Sequence, residues 1–384
     1  MLRCLSDIVA PLSVAEFLRA FQTKQRLHIE GRAAERAASL LPWSDVEAMI
    51  ALRGFADMEA MQNGMSIPPQ LYQDDPDLGA FHDMLAQGAS LVIAQIDQHV
   101  AAIQRLATAV ERQLGVAVSV NAYLSFSTGG AFKPHWDRHD ALVIQVHGAK
   151  RWTVWDATFE NPVEKSRYAK HDITGAPAQE IELSAGDVLY IPRGQPHAAA
   201  VSGGSSVHLT FGLNGANGLD MLGQLGAAAA ADEFLRADLP PRHARGDVPS
   251  HERELKARLH RLVDSLDIAA FLEQSDASRP PARHPALAPP AGPADLLRLT
   301  LRRQIALPQQ AQGEGSAPEP LTIGGTAYAL SPAAIEILRR LFARDGQRRD
   351  ELLQALSARH QRAAIQDGLQ ELLRLGFLSS ESAI

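Results

Sequence analysis

Pro134-His135-Trp136-Asp137, answered further on by Gly186-Asp187-Val188-Leu189-Tyr190-Ile191-Pro192-Arg193-Gly194-Gln195-Pro196-His197, decides how this chain is read. His135 and Asp137 are two apart, so on an extended strand both project to one side while Trp136 turns to the other. His197 comes 62 positions after His135, beyond a short apolar run that closes in a Pro/Gly turn. Such a run is a strand, a tight turn, and a histidine delivered at the mouth of a small barrel. Two imidazoles and one carboxylate on one side of a metal leave coordination positions open, the facial arrangement of non-heme Fe(II) oxygenases. Zinc accepts the same donors, but nothing else in the chain calls for it.

Two further stretches fit that chemistry. Ala141-Leu-Val-Ile-Gln-Val146 is apolar enough to be a strand buried on both faces, and Lys150 follows it, 15 residues after His135. A cation in such a place needs an anion, because breaking a buried pair costs ~3–5 kcal/mol. The distal carboxylate of 2-oxoglutarate is the expected anion, with the hydroxyl of Ser125 or Ser127 as a neutral donor. The alternative is a lysine that reaches out of the barrel end into water. Arg151 points the opposite way and is the residue expected to be solvated.

Asn121, Tyr123, Ser125, Gly129-Gly130, Pro134-His135-Trp136-Asp137, Asp140, Gln145, Gly148, Lys150, Trp152 and the run from Gly186 to His197 together resemble the JmjC-type ribosomal oxygenases. These are Fe(II)- and 2-oxoglutarate-dependent protein hydroxylases of the cupin superfamily. The resemblance is close over residues 85–215 and looser elsewhere. It implies an α+β fold: a double-stranded β-helix (cupin/JmjC) barrel with an N-terminal elaboration, a helical segment and a C-terminal winged-helix-like domain. It implies Fe(II) on His135, Asp137 and His197, with 2-oxoglutarate and O2 as co-substrates. Lys150, helped by Ser125, would hold the 2-oxoglutarate C5 carboxylate, and Asn121 and Tyr123 would face the substrate residue. Relatives often carry an aromatic at the position of Leu142 and a serine at that of Gly212, departures that bear on the substrate side chain rather than on the metal. Asn-x-Tyr resembles the histidine-hydroxylating members more than the arginine-hydroxylating ones.

A chain of 384 residues with 46% hydrophobic and 21% charged residues is ordinary for a globular protein of two or three domains. Its one cysteine, Cys4, excludes an intramolecular disulfide framework and suits a reducing compartment. The opening Met1-Leu-Arg-Cys-Leu-Ser-Asp is too polar for a secretory signal, and no apolar run approaches the ~18 residues of a membrane span. A cytoplasmic protein with no membrane partner is therefore expected. A net charge of −7 argues against coating nucleic acid and is compatible with gripping a basic partner, as ribosomal proteins are.

In chain order, residues 1–85 read as an elaboration ahead of the barrel. Ser13-Val-Ala-Glu16 is a capping box opening a helix through Phe21, Leu27–Glu30 is a short strand, and Ser44 starts another helix. Asp74-Asp75-Pro76-Asp77 is a solvated loop. Residues 86–216 form the catalytic domain. It begins with a helix over Ala89–Leu114 on which His99 is a surface residue. Strands follow at Val118–Ser125, Ala141–His147, Arg151–Trp155, Gln179–Leu183, Asp187–Ile191 and Ser206–Leu213, the last carrying His208 as a barrel-lining residue. Residues 217–274, helical over Leu219–Leu235 and Ser250–Leu272, are a candidate dimerisation module, as in the resembled family. Residues 275–294 are a Pro/Ala-rich linker. Residues 295–384 read as a winged-helix-like domain: Ser331-Pro332 caps one helix, a second runs near Asp350–Leu356, and a third from Gln361 to Leu375 is stopped by Gly376. Asp367 and Glu371 make that third helix a poor phosphate-tracking face, so DNA is not an expected partner.

The expectation is a dioxygenase hydroxylating a histidine or arginine side chain in a protein or peptide, above all a ribosomal protein. One alternative keeps the chemistry on a biosynthetic precursor peptide or a small molecule. Another is a non-catalytic cupin metabolite-binding regulator with a DNA-binding tail, against which the retained ligand set and Lys150 speak. No Walker-type loop, G-x-G-x-x-G, His-Glu-x-x-His or internal repeat is present.

Overall fold

The computed structural model describes residues 2–31, 34–51, 57–72, 78–127, 132–157, 159–163, 175–241, 245–282, 294–308 and 320–381. Strands β1 (Leu27–Ile29), β2 (Met58–Gln62), β3 (Met65–Ile67), β4 (Ser90–Ile93), β5 (Ala117–Ser125), β6 (Asp140–Val154), β7 (Gln179–Ser184), β8 (Val188–Ile191) and β9 (His197–Asn214) pair antiparallel. Their order is β1-β8-β6-β9-β5-β4-β2-β3, with β7 added on β6. The first part of β6 lies between β8 and the 209–213 end of β9, and its later part lies between β7 and the 197–201 end. Register shifts between Gln145 and Lys150 bend the pair so that each long strand serves both sheets of a double-stranded β-helix. Gly148 makes the bend, with φ +64° and its Cα so close to Ser205 that a Cβ would stand 2.0 Å from that residue's carbonyl oxygen.

Strand periodicity separates core from site. Val118, Val120, Ala122 and Leu124 of β5, and Val207, Leu209, Phe211 and Leu213 of β9, are buried in one cluster with Leu5 and Phe17 of the N-terminal helices and Leu106 of the helix Ala101–Leu114. The alternate residues Tyr123, Ser125, His208 and Thr210 line a cavity in the barrel instead. β6 is buried on both faces, as its composition predicts: Leu142, Ile144 and Val146 join the large core, while Ala141 and Val143 join Trp152, Ile181, Leu183, Leu189 and Ile191 in a second one. Leu142 therefore faces away from the barrel interior, and its departure from the family pattern does not touch the site.

The C-terminal part has its own core around Leu297, Leu338, Leu372 and Phe377. Strands β10 (Leu296–Leu299), β11 (Leu321–Ile323), β12 (Thr326–Tyr328), β13 (Gln347–Arg348) and β14 (Leu378–Glu381) form a sheet β13-β10-β14 and a hairpin β11–β12. With them go helices Pro332–Ala343, Arg349–Leu356 and Arg362–Arg374, the last ended by Gly376 at φ +72°. Glu371 accepts hydrogen bonds from the backbone and hydroxyl of Ser331 and so supports the cap of the first of these helices. Fully buried Glu111, on the helix under the barrel, pairs with Arg279, Arg302 and Arg303 and ties this part to the barrel.

Several expectations are corrected. The 89–114 segment is not one helix: its apolar Leu91 and Ile93 sit in β4, because the sheet offers them a fully buried slot between β2 and β5, and a 3-10 turn (Ile96–Gln98) precedes the helix proper. His99 is exposed, as expected, and lies 2.9 Å from Asp57. The two strands expected at 141–147 and 151–155 are one bent strand, and β9 begins at His197 rather than at residue 206. The later helices are shorter than expected (Gly218–Ala229, Glu233–Arg236, Val248–Asp264, Ile268–Ser278), and the last of them takes the start of the expected linker. The capping box at Ser13 and the strand at 27 are as expected. Gly129-Gly130, Asp74–Asp77 and linker residues 283–293 lie outside the described residues. No helix among the described residues is long and apolar enough to cross a membrane.

Candidate active site

His135 and His197 are bridged backbone to backbone: the His135 amide donates to the His197 carbonyl (3.1 Å) and the His197 amide to the His135 carbonyl (2.8 Å). The rings stand 4.7 Å apart, centroid to centroid. Each Nδ1 faces a main-chain carbonyl two residues upstream, His135 to Lys133 (2.9 Å) and His197 to Gln195 (3.0 Å). That contact requires a hydrogen on Nδ1 and leaves Nε2 as the lone-pair nitrogen, the tautomer a metal ligand needs. Asp137 completes the group, with Oδ2 3.6 Å from His197 Nε2. One ligand atom from each residue lies within 4.8 Å of the others. The Gly194 amide donates to the Asp137 carbonyl (2.9 Å), so the Pro/Gly turn anticipated from the sequence holds the segment bearing the carboxylate, which is an isolated bridge at His135 followed by irregular chain rather than the extended strand expected. Burial pushes the His197 imidazole down to about 4, opposed by Asp137 and reinforced by His135 and His139, so the ring is neutral and ready to ligate at neutral pH.

Behind this group lies a cavity of about 70 Å³. Lys150 is 5% exposed and donates to Ser125 Oγ (3.1 Å), with His208 Nδ1 3.3 Å away. Both partners are neutral, and burial brings the ammonium down to about 7. Ser125 is thus a hydroxyl at the lysine, and a 2.6 Å bond between its Oγ and that of Ser90 fixes it. Arg151 is solvated beside Glu182, as expected. Tyr123 lines the cavity, stacked on His208 at 4.8 Å, and burial holds its phenol up at about 12, with Asp137 adding to the effect, so it is a hydroxyl donor. Asn121 lies outside the cavity lining: its Oδ1 accepts from the Gln95 amide (3.0 Å) and its side chain touches Tyr123. The structure therefore gathers six of the seven residues singled out from sequence around one space, with Asn121 at its edge. It adds Ser90 and Trp152, and His208 lines the barrel as expected. Ser90 was hidden by reading its segment as helix; strand alternation through Leu91 and Ile93 was the available signal.

Residues 93–221 match the JmjC domain family. Among curated proteins, the bifunctional lysine-specific demethylase and histidyl-hydroxylase NO66 of Drosophila persimilis is 27% identical over 217 residues, 54% of this chain and 31% of that protein. The NO66 protein of Caenorhabditis elegans is 39% identical over 108 residues, 27% of this chain and 14% of the other. The chain thus spans less than a third of the length of these curated relatives. Among solved structures, the Escherichia coli ribosomal oxygenase YcfD superposes with a TM-score of 0.61 at 16% identity, covering 96% of this chain and 98% of YcfD. YcfD in complex with cobalt and 2-oxoglutarate gives 0.59 at 17% identity, covering 97% and 99%. At such identity these likenesses speak for the fold, and the domain match speaks for residues 93–221. The chain carries a JmjC domain over residues 93–221 and shares its fold with a ribosomal oxygenase.

Proposed function

We propose that this chain is an Fe(II)- and 2-oxoglutarate-dependent dioxygenase that hydroxylates a histidine or arginine side chain in a protein or peptide, above all a ribosomal protein. The observation that carries the reading is the pairing of a preset donor trio with a buried lysine that has only neutral partners among the described residues. A dicarboxylate reaching from the metal to Lys150 supplies the missing anion. The donor set fits ferrous iron: two imidazoles whose Nδ1 atoms face main-chain carbonyls and one carboxylate, grouped on one side. The cobalt and 2-oxoglutarate complex of YcfD supports the same pair of ligands here.

When bound, the iron with 2-oxoglutarate and O2 supplies the oxidation that places one oxygen atom on a C–H bond. His135, His197 and Asp137 would hold it through one donor atom each. Lys150 and Ser125 anchor the C5 carboxylate. Tyr123 stays protonated at neutral pH and offers its hydroxyl toward the metal side, and Asn121 steadies it at the edge where the substrate residue enters. Trp152 and Phe132 exclude water from the space between. The reading extends to a cytoplasmic homodimer with the domain division given above, joined through residues 217–274. Helices there bury none of their residues and expose Leu219, Leu222, Val263 and Ile268 to more than half. Nucleic acid is no partner in this reading.

The test is succinate release from 2-oxoglutarate by the purified protein with iron, ascorbate and peptides from ribosomal proteins, read beside a +16 Da mass change (about one oxygen atom) on the peptide. His135→Ala should abolish both. Stoichiometric zinc with no turnover on any peptide would defeat the reading.

A further inference from the structure

Strand β5 is held differently along its length. β9 pairs with it from Ala117 to Ser125, but on the other edge β4 covers only Ala122 to Ser125 among the described residues. At the 117–121 end that edge is finished by carboxylates instead. Asp97 Oδ1 accepts the Val120 amide (2.9 Å), and Glu111 Oε2 accepts the Val118 amide (3.2 Å). Both acids are buried, Asp97 at 2% and Glu111 at 0% exposure. Asp97 sits in the 3-10 turn Ile96–Gln98, and Gln95, which opens that turn, donates its amide to Asn121 Oδ1 (3.0 Å). One turn thus grips the backbone just before Asn121 and the Asn121 side chain itself.

Two buried carboxylates this close together need countercharge. It comes from outside the barrel. Arg302 stands 3.7 Å from Asp97 Oδ2 and 3.7 Å from Glu111 Oε2. Arg279 lies 3.1 Å from Glu111 Oε1, and Arg303 donates to the Glu111 carbonyl (2.7 Å). Of these, Arg302 alone among the described residues reaches both acids. It follows Leu299 and Leu301, which are buried in the C-terminal core, so it is carried by that core. Arg112 of the barrel helix fixes the same segment, donating to the Leu301 carbonyl (2.8 Å) and the Leu299 carbonyl (3.1 Å). At 3.7 Å the Arg302 contacts are charge compensation rather than hydrogen bonds. A lysine can therefore serve there, and an uncharged side chain cannot.

We propose that Arg302, acting through Asp97, is a positioning residue for Asn121: the C-terminal part supplies the charge that holds the 117–121 end of β5, and with it the edge of the pocket, in place for the polypeptide substrate. This rests on the oxygenase reading above. Without that charge the buried Asp97 draws toward water, its turn moves with it, and Val120 and Asn121 lose their partners together. Tyr123 and Ser125 lie where β4 and β9 grip both edges, so the co-substrate end keeps its shape.

The experiment uses the full chain with Arg302→Met, Arg302→Lys, Asn121→Ala and the Arg302→Met/Asn121→Ala double variant, each checked by thermal melting. Arg302→Gln takes the place of methionine if that change melts the fold. Hydrogen exchange of the metal-free protein should speed up about tenfold or more at the Val118 and Val120 amides in Arg302→Met, and stay as in wild type at residues 122–125. With iron and the ribosomal-protein peptide that wild type turns over, KM for the peptide should rise about tenfold, the worth of one hydrogen bond. Affinity of the Mn(II)-loaded protein for 2-oxoglutarate should stay within about twofold. Arg302→Lys should restore both the exchange and the KM. In the Asn121→Ala background, Arg302→Met should change the peptide KM no further. Unchanged exchange at the two amides, a peptide KM within about twofold of wild type, or effects that simply add in the double variant would overturn the proposal. Failure of the underlying reading looks different: wild-type protein would release no succinate with any peptide.

Discussion

Replacing Lys150 by methionine should move stability and function in opposite directions. In the folded pocket the amine titrates at about 7 instead of 10.5, because burial has stripped its water and only Ser125 and His208 replace it. At pH 7 the unfolded chain carries the proton at little cost while the folded one does not, a penalty of roughly 4 kcal/mol on the folded state. The sign follows from the depressed folded value: the penalty is complete below pH about 7 and fades as pH rises toward 10.5. Methionine has similar length and no charge. It forfeits two hydrogen bonds worth ~1 kcal/mol each, so a net gain of about 2 kcal/mol remains. Calorimetry of the metal-free protein at pH 6.5–7 (roughly where the penalty is greatest) should show a higher melting temperature for Lys150→Met. Titration of 2-oxoglutarate into the Mn(II)-loaded protein should show affinity weakened by about two orders of magnitude or more, the scale of a broken buried pair. A lower melting temperature together with retained 2-oxoglutarate binding would refute the argument, because it would mean that the lysine is a satisfied structural group.

Other outcomes follow from the same structure. Co-substrate affinity should fall as pH rises above about 7, since the free enzyme loses the Lys150 proton that the bound carboxylate requires; the KM for 2-oxoglutarate across pH 6–9 (roughly either side of that value) checks this, and a flat profile would contradict it. Gly148→Ala should cost several kcal/mol, about 3 or more, because both its φ of +64° and the contact with Ser205 forbid a side chain; denaturant unfolding of the purified variant measures it. If residues 217–274 join two copies, Leu222→Glu with Ile268→Glu should halve the sedimenting mass without unfolding the barrel, and an unchanged mass would exclude that face.

The grouping of His135, Asp137 and His197 was legible because its information is local. His135 and Asp137 declare themselves by a spacing of two, and His197 by the Gly/Pro turn that delivers it; the bridge from His135 to His197 fixes the one, and the turn fixes the other. Lys150 was legible by contrast, a charge closing an apolar run. What failed to show was set by partners distant in sequence. Leu91 and Ile93 continue the helical pattern of the segment after them, and only the slot between β2 and β5 makes them strand. That misreading concealed Ser90, whose hydroxyl fixes Ser125. The merging of two strands into β6 depends on Gly148 crossing Ser205, a contact between residues far apart in the chain. Asn121 carried the right parity for the pocket, yet its bond to the Gln95 amide holds it at the edge, and no pattern in its own strand reports that.

Anaerobic titration of the metal-free protein with Fe(II), with metal content read after gel filtration in the presence of 2-oxoglutarate, tests the central claim most directly. One iron per chain should be retained, with retention lost in His135→Ala and in Asp137→Ala while the melting curve keeps its cooperative shape. Folded wild-type protein that retains no iron, or variants that hold it as well as wild type, would contradict the claim that these three side chains form the metal site.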